Sequence, residues 1–138
     1  MRPNYAGRMA TPTIDFEVYL NTNAPASERQ TALAALFANE DAAGIEYAVV
    51  MPSPTRKPDN RALYDTAHGE RRAILCCQVN PNDGAAAFDE IRQAATAWGM
   101  RVLKIMPAIY QVNLTGRLAS ELMTTARELG LVVNIHSG

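Results

Sequence analysis

Apolar positions along this chain gather into five short runs, at residues 13–20, 45–51, 73–79, 100–106 and 131–136. Each run is nearly continuous and rich in valine, isoleucine and leucine, the pattern of strands covered on both faces. The stretches between them carry apolar residues at helical spacing instead. Leu33, Leu36 and Phe37 share one face behind Ser27 and Gln30, which are spaced as a capping box. Residues 60–68 form a shorter segment with Leu63 and Tyr64 as its apolar contacts. Asp83 stands ahead of Phe88, Ile91, Ala95 and Trp98, and Thr115 ahead of Leu118, Leu122, Ala126 and Leu129; each polar residue is placed to cap its helix. Gly44, Gly69, Gly99 and Gly130 each lie between a helical stretch and the next apolar run, where a left-handed residue ends a helix at little cost. Pro52, Pro54, Pro81 and Pro107 follow strands, where a missing N–H does least damage.

The predicted order is therefore β-α-β-α-β-α-β-α-β, which implies crossover connections and a parallel sheet. Two architectures hold that order. One is an open five-stranded sheet of the flavodoxin type, wound in both directions. The other is the first half of a (β/α)₈ barrel, strands one to five with helices one to four. The pattern alone leaves both open.

Composition narrows the function more than the fold. The chain has 138 residues, 48% of them hydrophobic and 20% charged, with a net charge of −1. That is the balance of one globular domain, with no overall field to draw it to nucleic acid or an anionic membrane. The basic pairs Arg56–Lys57 and Arg71–Arg72 are short and read as solvated surface. No apolar run approaches the ~20 residues of a membrane span. Residues 1–12 contain Arg2 and Arg8 and no apolar core, so they read as a flexible arm ahead of a domain at 13–138 rather than as a secretory signal. Cys76 and Cys77 are adjacent in a strand and so point to opposite faces; buried free thiols in a reducing cytoplasm are expected.

In either fold, chemistry belongs at the C-terminal ends of the strands. Those ends hold Glu17 and Tyr19, Ser53, Asn80, Lys104 and Met106, and His136 and Ser137. Residues two apart share a face, so Glu17 points with Tyr19 and Lys104 with Met106. Lys104 inside a barrel needs a partner, and Glu17 is the natural one. His68 before Gly69 suits the negative end of a helix.

The five runs, taken in order, resemble the amidohydrolase-2 family of TIM-barrel metal-dependent hydrolases and decarboxylases. Residues 14–19, I-D-F-E-V-Y, are similar to the family's first strand, I-D-x-H-x-H. Residues 44–50 resemble its second strand, 77–83 its third strand and turn, 101–107 its fourth, which usually ends K-x-H-P, and 131–138 its fifth, which ends in a histidine. Glu17 and Tyr19 stand where the first-strand histidines would be, and Met106 where the fourth-strand histidine would be. The resemblance implies a hydrolase or decarboxylase acting on a small carboxylate, amide or lactone. It implies a divalent metal, zinc or manganese, with His136 and Glu17 as ligands. Lys104 and Glu17 would be catalytic, and Tyr19, Asn80, Met106 and Ser137 would contact the substrate. A half-barrel has open edges, so a homo-oligomer or a complementing half-barrel chain is expected, and a non-catalytic assembly or binding module is the alternative to an enzyme.

Overall fold

The computed structural model describes residues 11–137. Most of the arm expected at 1–12 lies outside that range. Five strands alternate with helices: β1 (Ile14–Leu20), α1 (Ala26–Ala43), β2 (Tyr47–Pro52), α2 (Asn60–Ala67), β3 (Ala73–Gln78), α3 (Ala85–Thr96), β4 (Val102–Ile105), a single turn α4 (Pro107–Tyr110), α5 (Arg117–Glu128) and β5 (Val132–Ile135). All four strand pairs are parallel, and the order across the sheet is β1-β2-β3-β4-β5. That order decides between the two architectures. A flavodoxin-type sheet runs 2-1-3-4-5 and carries helices on both faces. Here each strand is laid beside its predecessor, as in a barrel wound one way.

Side-chain alternation separates the two faces. Val18, Ala48, Val50, Leu75, Cys77, Leu103, Ile105 and Val133 point outward into one core with Leu33 and Phe37 of α1, Leu63 of α2, Ile91 of α3 and Leu122 of α5. Every long helix therefore packs on the same side. Complete burial of a side chain such as Ile91 or Leu122 contributes roughly 1.5–3 kcal/mol. On the inner, concave face Val49, Met51, Cys76 and Val102 form a smaller cluster with Ile74. The cysteines fall on opposite faces, both buried and free.

Several helix starts differ from the sequence reading. Pro25, with φ fixed near −54°, puts the first helical residue at Ala26, so Ser27 lies inside the first turn and forms no capping box. The second helix begins at Asn60, as expected, and is capped by Asp59, which accepts from the Ala62 N–H at 2.8 Å. Asp83 belongs to a 3₁₀ turn, Pro81–Asp83, and α3 begins only after Gly84. Thr115 turns back to Asn113, leaving Gly116 ahead of α5. Gly44, Gly99 and Gly130 have the expected positive φ, whereas Gly69 does not; α2 ends at His68 in right-handed geometry.

Asn60 stitches the upper end of β3. Register between β2 and β3 ends at Val50↔Leu75, so the Gln78 main chain has no strand partner on the β2 side. Asn60 supplies one: its carboxamide donates to the Gln78 carbonyl at 2.7 Å and accepts from the Gln78 N–H at 2.9 Å. The same amide reaches Glu90 of α3 at 2.7 Å. Removing it strands two buried main-chain groups. Asn60→Ala should cost roughly 2–4 kcal/mol in urea unfolding, against about 1 kcal/mol for the cap substitution Asp59→Ala. Equal losses for the two variants would show that Asn60 acts only as a helix start.

Candidate active site

The inner face is layered by register. Cys76, Val102 and Val132 are aligned in one layer, and Gln78, Lys104 and Asn134 in the layer above, towards the C-terminal ends of the strands. Lys104 is 1% exposed. A buried ammonium is costly without partners. Its two partners are Glu17 Oε1 at 2.8 Å and Asn134 Oδ1 at 2.9 Å. Asn134 interrupts an otherwise apolar strand on the same face as His136, and this polar interruption is the signal that identifies it. Gln78 interrupts β3 in the same way and donates to the Tyr110 hydroxyl at 2.9 Å, which in turn donates to the Thr55 carbonyl.

Glu17 is the centre of the site. Its Oε1 accepts from Lys104 Nζ, from the Tyr19 hydroxyl at 2.8 Å and from His136 Nδ1 at 3.2 Å. The Lys104 hydrogen bond, then that of Tyr19, hold the carboxyl at a pKa of about 2. Tyr19 moves the other way, its hydroxyl pushed up by burial and by the hydrogen bond to Glu17. Burial pushes Cys76 up to about 12 and Cys77 well above the usual thiol range, so neither is a nucleophile.

These contacts also measure the curl of the sheet. Glu17 is on β1 and His136 follows β5, four strand spacings away along the sheet. In a flat sheet that separation would be about 19 Å, beyond the reach of two side chains. The 3.2 Å contact requires a sheet bent into an arc, with its first and fifth strands facing each other across the concave side.

The other expected residues lie in several places. Ser137 is exposed beside His136. Ser53 donates to the Leu20 carbonyl at 3.2 Å, and Asp15 accepts from the Glu17 N–H at 3.3 Å. Asn80 caps its own turn, accepting from the Asn82 N–H at 3.1 Å, and lines a polar cleft with Arg56, Asn82 and Gln111. Met106 is buried with Tyr110, Val112 and Ala119 in the turn that follows β4, since the strand stops at Ile105. His68 lies away from the site, its Nδ1 2.9 Å from the Tyr64 carbonyl and its ring stacked on Tyr64.

The residues present do not fit a divalent metal. A catalytic site takes about three protein ligands. Among the described residues no three His, Cys, Asp or Glu side chains are grouped to hold one. The charge argument is stronger. Glu17 already accepts three donors on one oxygen, one of them an ammonium. A dication on that carboxylate would stand within roughly 5 Å of Lys104 and meet a repulsion on the order of 6 kcal/mol. Lys104 already supplies the positive charge.

A curled run of parallel βα units, helices outside and ionisable groups at the C-terminal strand ends, is the first half of a TIM-barrel enzyme fold. The chain belongs to the amidohydrolase family: the family model Amidohydro_2, described as amidohydrolase, matches residues 20–138. Glu17 and Tyr19 lie just ahead of the matched segment. Among solved structures, one from Staphylococcus aureus, described as an amidohydrolase, superposes with a TM-score of 0.71 at 17% identity, covering 93% of this chain and 48% of that one. Another, from Acinetobacter baumannii, is described as a 2-pyrone-4,6-dicarboxylic acid hydrolase with citric acid bound; it superposes with a TM-score of 0.65 at 13% identity, covering 92% of this chain and 50% of that one. The chain thus spans about half the length of these structural relatives. No curated protein matches it. The family is generally metal-dependent, and among the described residues of this chain no metal-binding group is assembled.

The Glu17 carboxyl should titrate with a midpoint near 2 by carbon NMR. Its folded pKa lies below the ordinary 4.5, so its stabilising contribution is present above 4.5 and lost as pH falls towards 2. The stability gap between the native chain and Glu17→Gln should therefore be full at neutral pH and narrow through that window. A gap independent of pH would contradict the ion pair.

Proposed function

We propose that this chain forms the first five strands of a hydrolase barrel that opens a small carboxylate-bearing lactone or amide. The observation that carries this reading is the Glu17 carboxylate, held ionised beside the half-exposed His136 ring where β1 and β5 end. That is the end of a βα barrel where chemistry is done. Membership of the amidohydrolase family supports hydrolysis, and the dicarboxylic acid in the description of one structural relative supports a carboxylate substrate. Decarboxylation within the same family would use the same charged end.

Glu17 and Lys104 supply the fixed charges of the site in this proposal. Lys104 is enclosed, so it acts through Glu17 and not on the substrate. Tyr19 and Ser137, exposed at the rim, would contact the substrate, and Asn80 would line a more distant cleft. Met106, packed with Tyr110 just past the end of β4, would act on the substrate only indirectly, by shaping that turn. Three more strands would complete an eight-stranded barrel on the edges of β1 and β5, where Ile14, Phe16, Val132 and Ile135 are exposed. A complementing segment or chain of three strand–helix units fits that count; two copies of this half would bring ten strands. Two free buried thiols suit a reducing cytoplasm. No helix among the described residues is long and apolar enough to cross a membrane.

The test begins with native mass spectrometry of protein purified without added metal or chelator, which reports subunit count and bound metal together. Carboxylated lactones and N-acyl amino acids are then screened for hydrolysis. A metal-free assembly whose turnover falls roughly 100-fold or more in Glu17→Ala and His136→Ala is the expected result. Turnover that survives both substitutions, or that requires added zinc or manganese, would overturn the reading. An assembly with no turnover on any substrate would favour a non-catalytic module.

A further inference from the structure

The hydrogen bonding at Glu17 fixes which nitrogen of His136 carries the proton. Glu17 is paired with the Lys104 ammonium at 2.8 Å and accepts from the Tyr19 hydroxyl at 2.8 Å, and a carboxylate so paired only accepts hydrogen bonds. The contact between His136 Nδ1 and Glu17 Oε1 at 3.2 Å therefore requires the hydrogen on Nδ1. A neutral ring so held presents the lone pair of Nε2. That nitrogen has no hydrogen-bond partner among the described residues, and the side chain is 41% exposed. The ring is anchored at its base, because the His136 N–H donates to the Ile105 carbonyl at 3.0 Å and extends the β4–β5 ladder by one step. Glu17 is fixed in turn by Lys104, which is fully enclosed and also bound to Asn134.

We infer that His136 is a general base, oriented through Nδ1 by Glu17 and presenting Nε2 to a water molecule, in place of the metal-ligand role a histidine at this strand end would otherwise have. The inference rests on the hydrolase reading for its substrate, a carboxylate-bearing ester, lactone or amide. In the step itself, an O–H bond of water breaks and its proton passes to Nε2. The water oxygen forms a bond to the carbonyl carbon, and the carbonyl π pair moves to oxygen. The tetrahedral species then collapses: the C–O or C–N bond to the leaving group breaks, and the proton on Nε2 passes to the departing oxygen or nitrogen. The transient imidazolium is paired with the Glu17 carboxylate throughout, as in other carboxylate-oriented histidines. His136 is the catalytic residue in this scheme, and Glu17 and Lys104 are positioning residues.

The sequence makes the test unusually clean, because the chain contains only two histidines, His68 and His136. Long-range proton–nitrogen correlation of imidazole-labelled full chain at alkaline pH gives two ring systems, assigned with His68→Gln. His136 should show a protonated Nδ1 and an unprotonated Nε2, the tautomer that free imidazole side chains disfavour. Glu17→Ala should move His136 towards the other tautomer. His68, held by the Tyr64 carbonyl, should not change. In turnover of a carboxylated lactone, Glu17→Ala should lower kcat roughly 100-fold or more with KM changed less than about twofold. A His136 ring protonated on Nε2 in the unsubstituted chain overturns the inference without any variant, and so does a tautomer indifferent to Glu17→Ala. Hydrolysis that persists beside the wrong tautomer sinks the base and leaves the hydrolase reading standing. The right tautomer with no hydrolysis of any carboxylated substrate sinks both the general base and the hydrolase reading.

Discussion

An ammonium ion buried on the inner face of a half-open sheet governs the rest of this structure. Lys104 is 1% exposed, so its charge must be met by protein partners rather than by bulk solvent. A charge in that position is stable only if an opposite charge is brought to it. The opposite charge comes from β1, three strands away in the sheet. The requirement is therefore as much geometric as electrostatic: the sheet must curve until Glu17 can reach. Once it does, the same carboxylate oxygen collects Tyr19 and His136, and four side chains from β1, β4 and the end of β5 become one unit.

The same arrangement explains how the site can differ from a metal centre without losing its place in the fold. Glu17 and Tyr19 stand where the resemblance leads one to expect two histidines, and the carboxylate is paired with the Lys104 ammonium. Lys104 keeps the lysine of the strand-four pattern, and with Glu17 and Tyr19 on β1 its charge is satisfied by a carboxylate that the phenol also supports. The inner layer beneath, Val49, Met51, Cys76 and Val102, is apolar and closely packed, which keeps water from the stem of Lys104.

Much of this was legible in the sequence. Five near-continuous apolar runs with helical stretches between them specify parallel βα units, because only strands covered on both faces are written that way. The pairing of Lys104 with Glu17 also follows from sequence, since a lysine in such a run has few alternatives. Strand order was not legible: a doubly wound sheet and a barrel share the same local pattern, and only the register between strands separates them. Helix starts were misplaced where a glycine or proline overrode a polar cap, as at Pro25, Gly84 and Gly116. Met106 lies one residue past the end of β4, where period-two alternation no longer specifies the face. Asn60 as a surrogate strand, and the Gln78–Tyr110 contact, join residues 18 and 32 apart in sequence through backbone geometry that no local motif encodes.

The central claim is that Lys104 and Glu17 are energetically one group. A double-mutant cycle with Lys104→Met, Glu17→Gln and the double variant, read by urea unfolding at neutral pH, tests it most directly. Glu17→Gln should be the more damaging single change, because it leaves the ammonium buried, whereas Lys104→Met leaves a carboxylate that water can reach. The coupling energy should be about 2 kcal/mol or more. Effects that add to within about 0.5 kcal/mol would show that the two residues are independent and would remove the basis of the site described above.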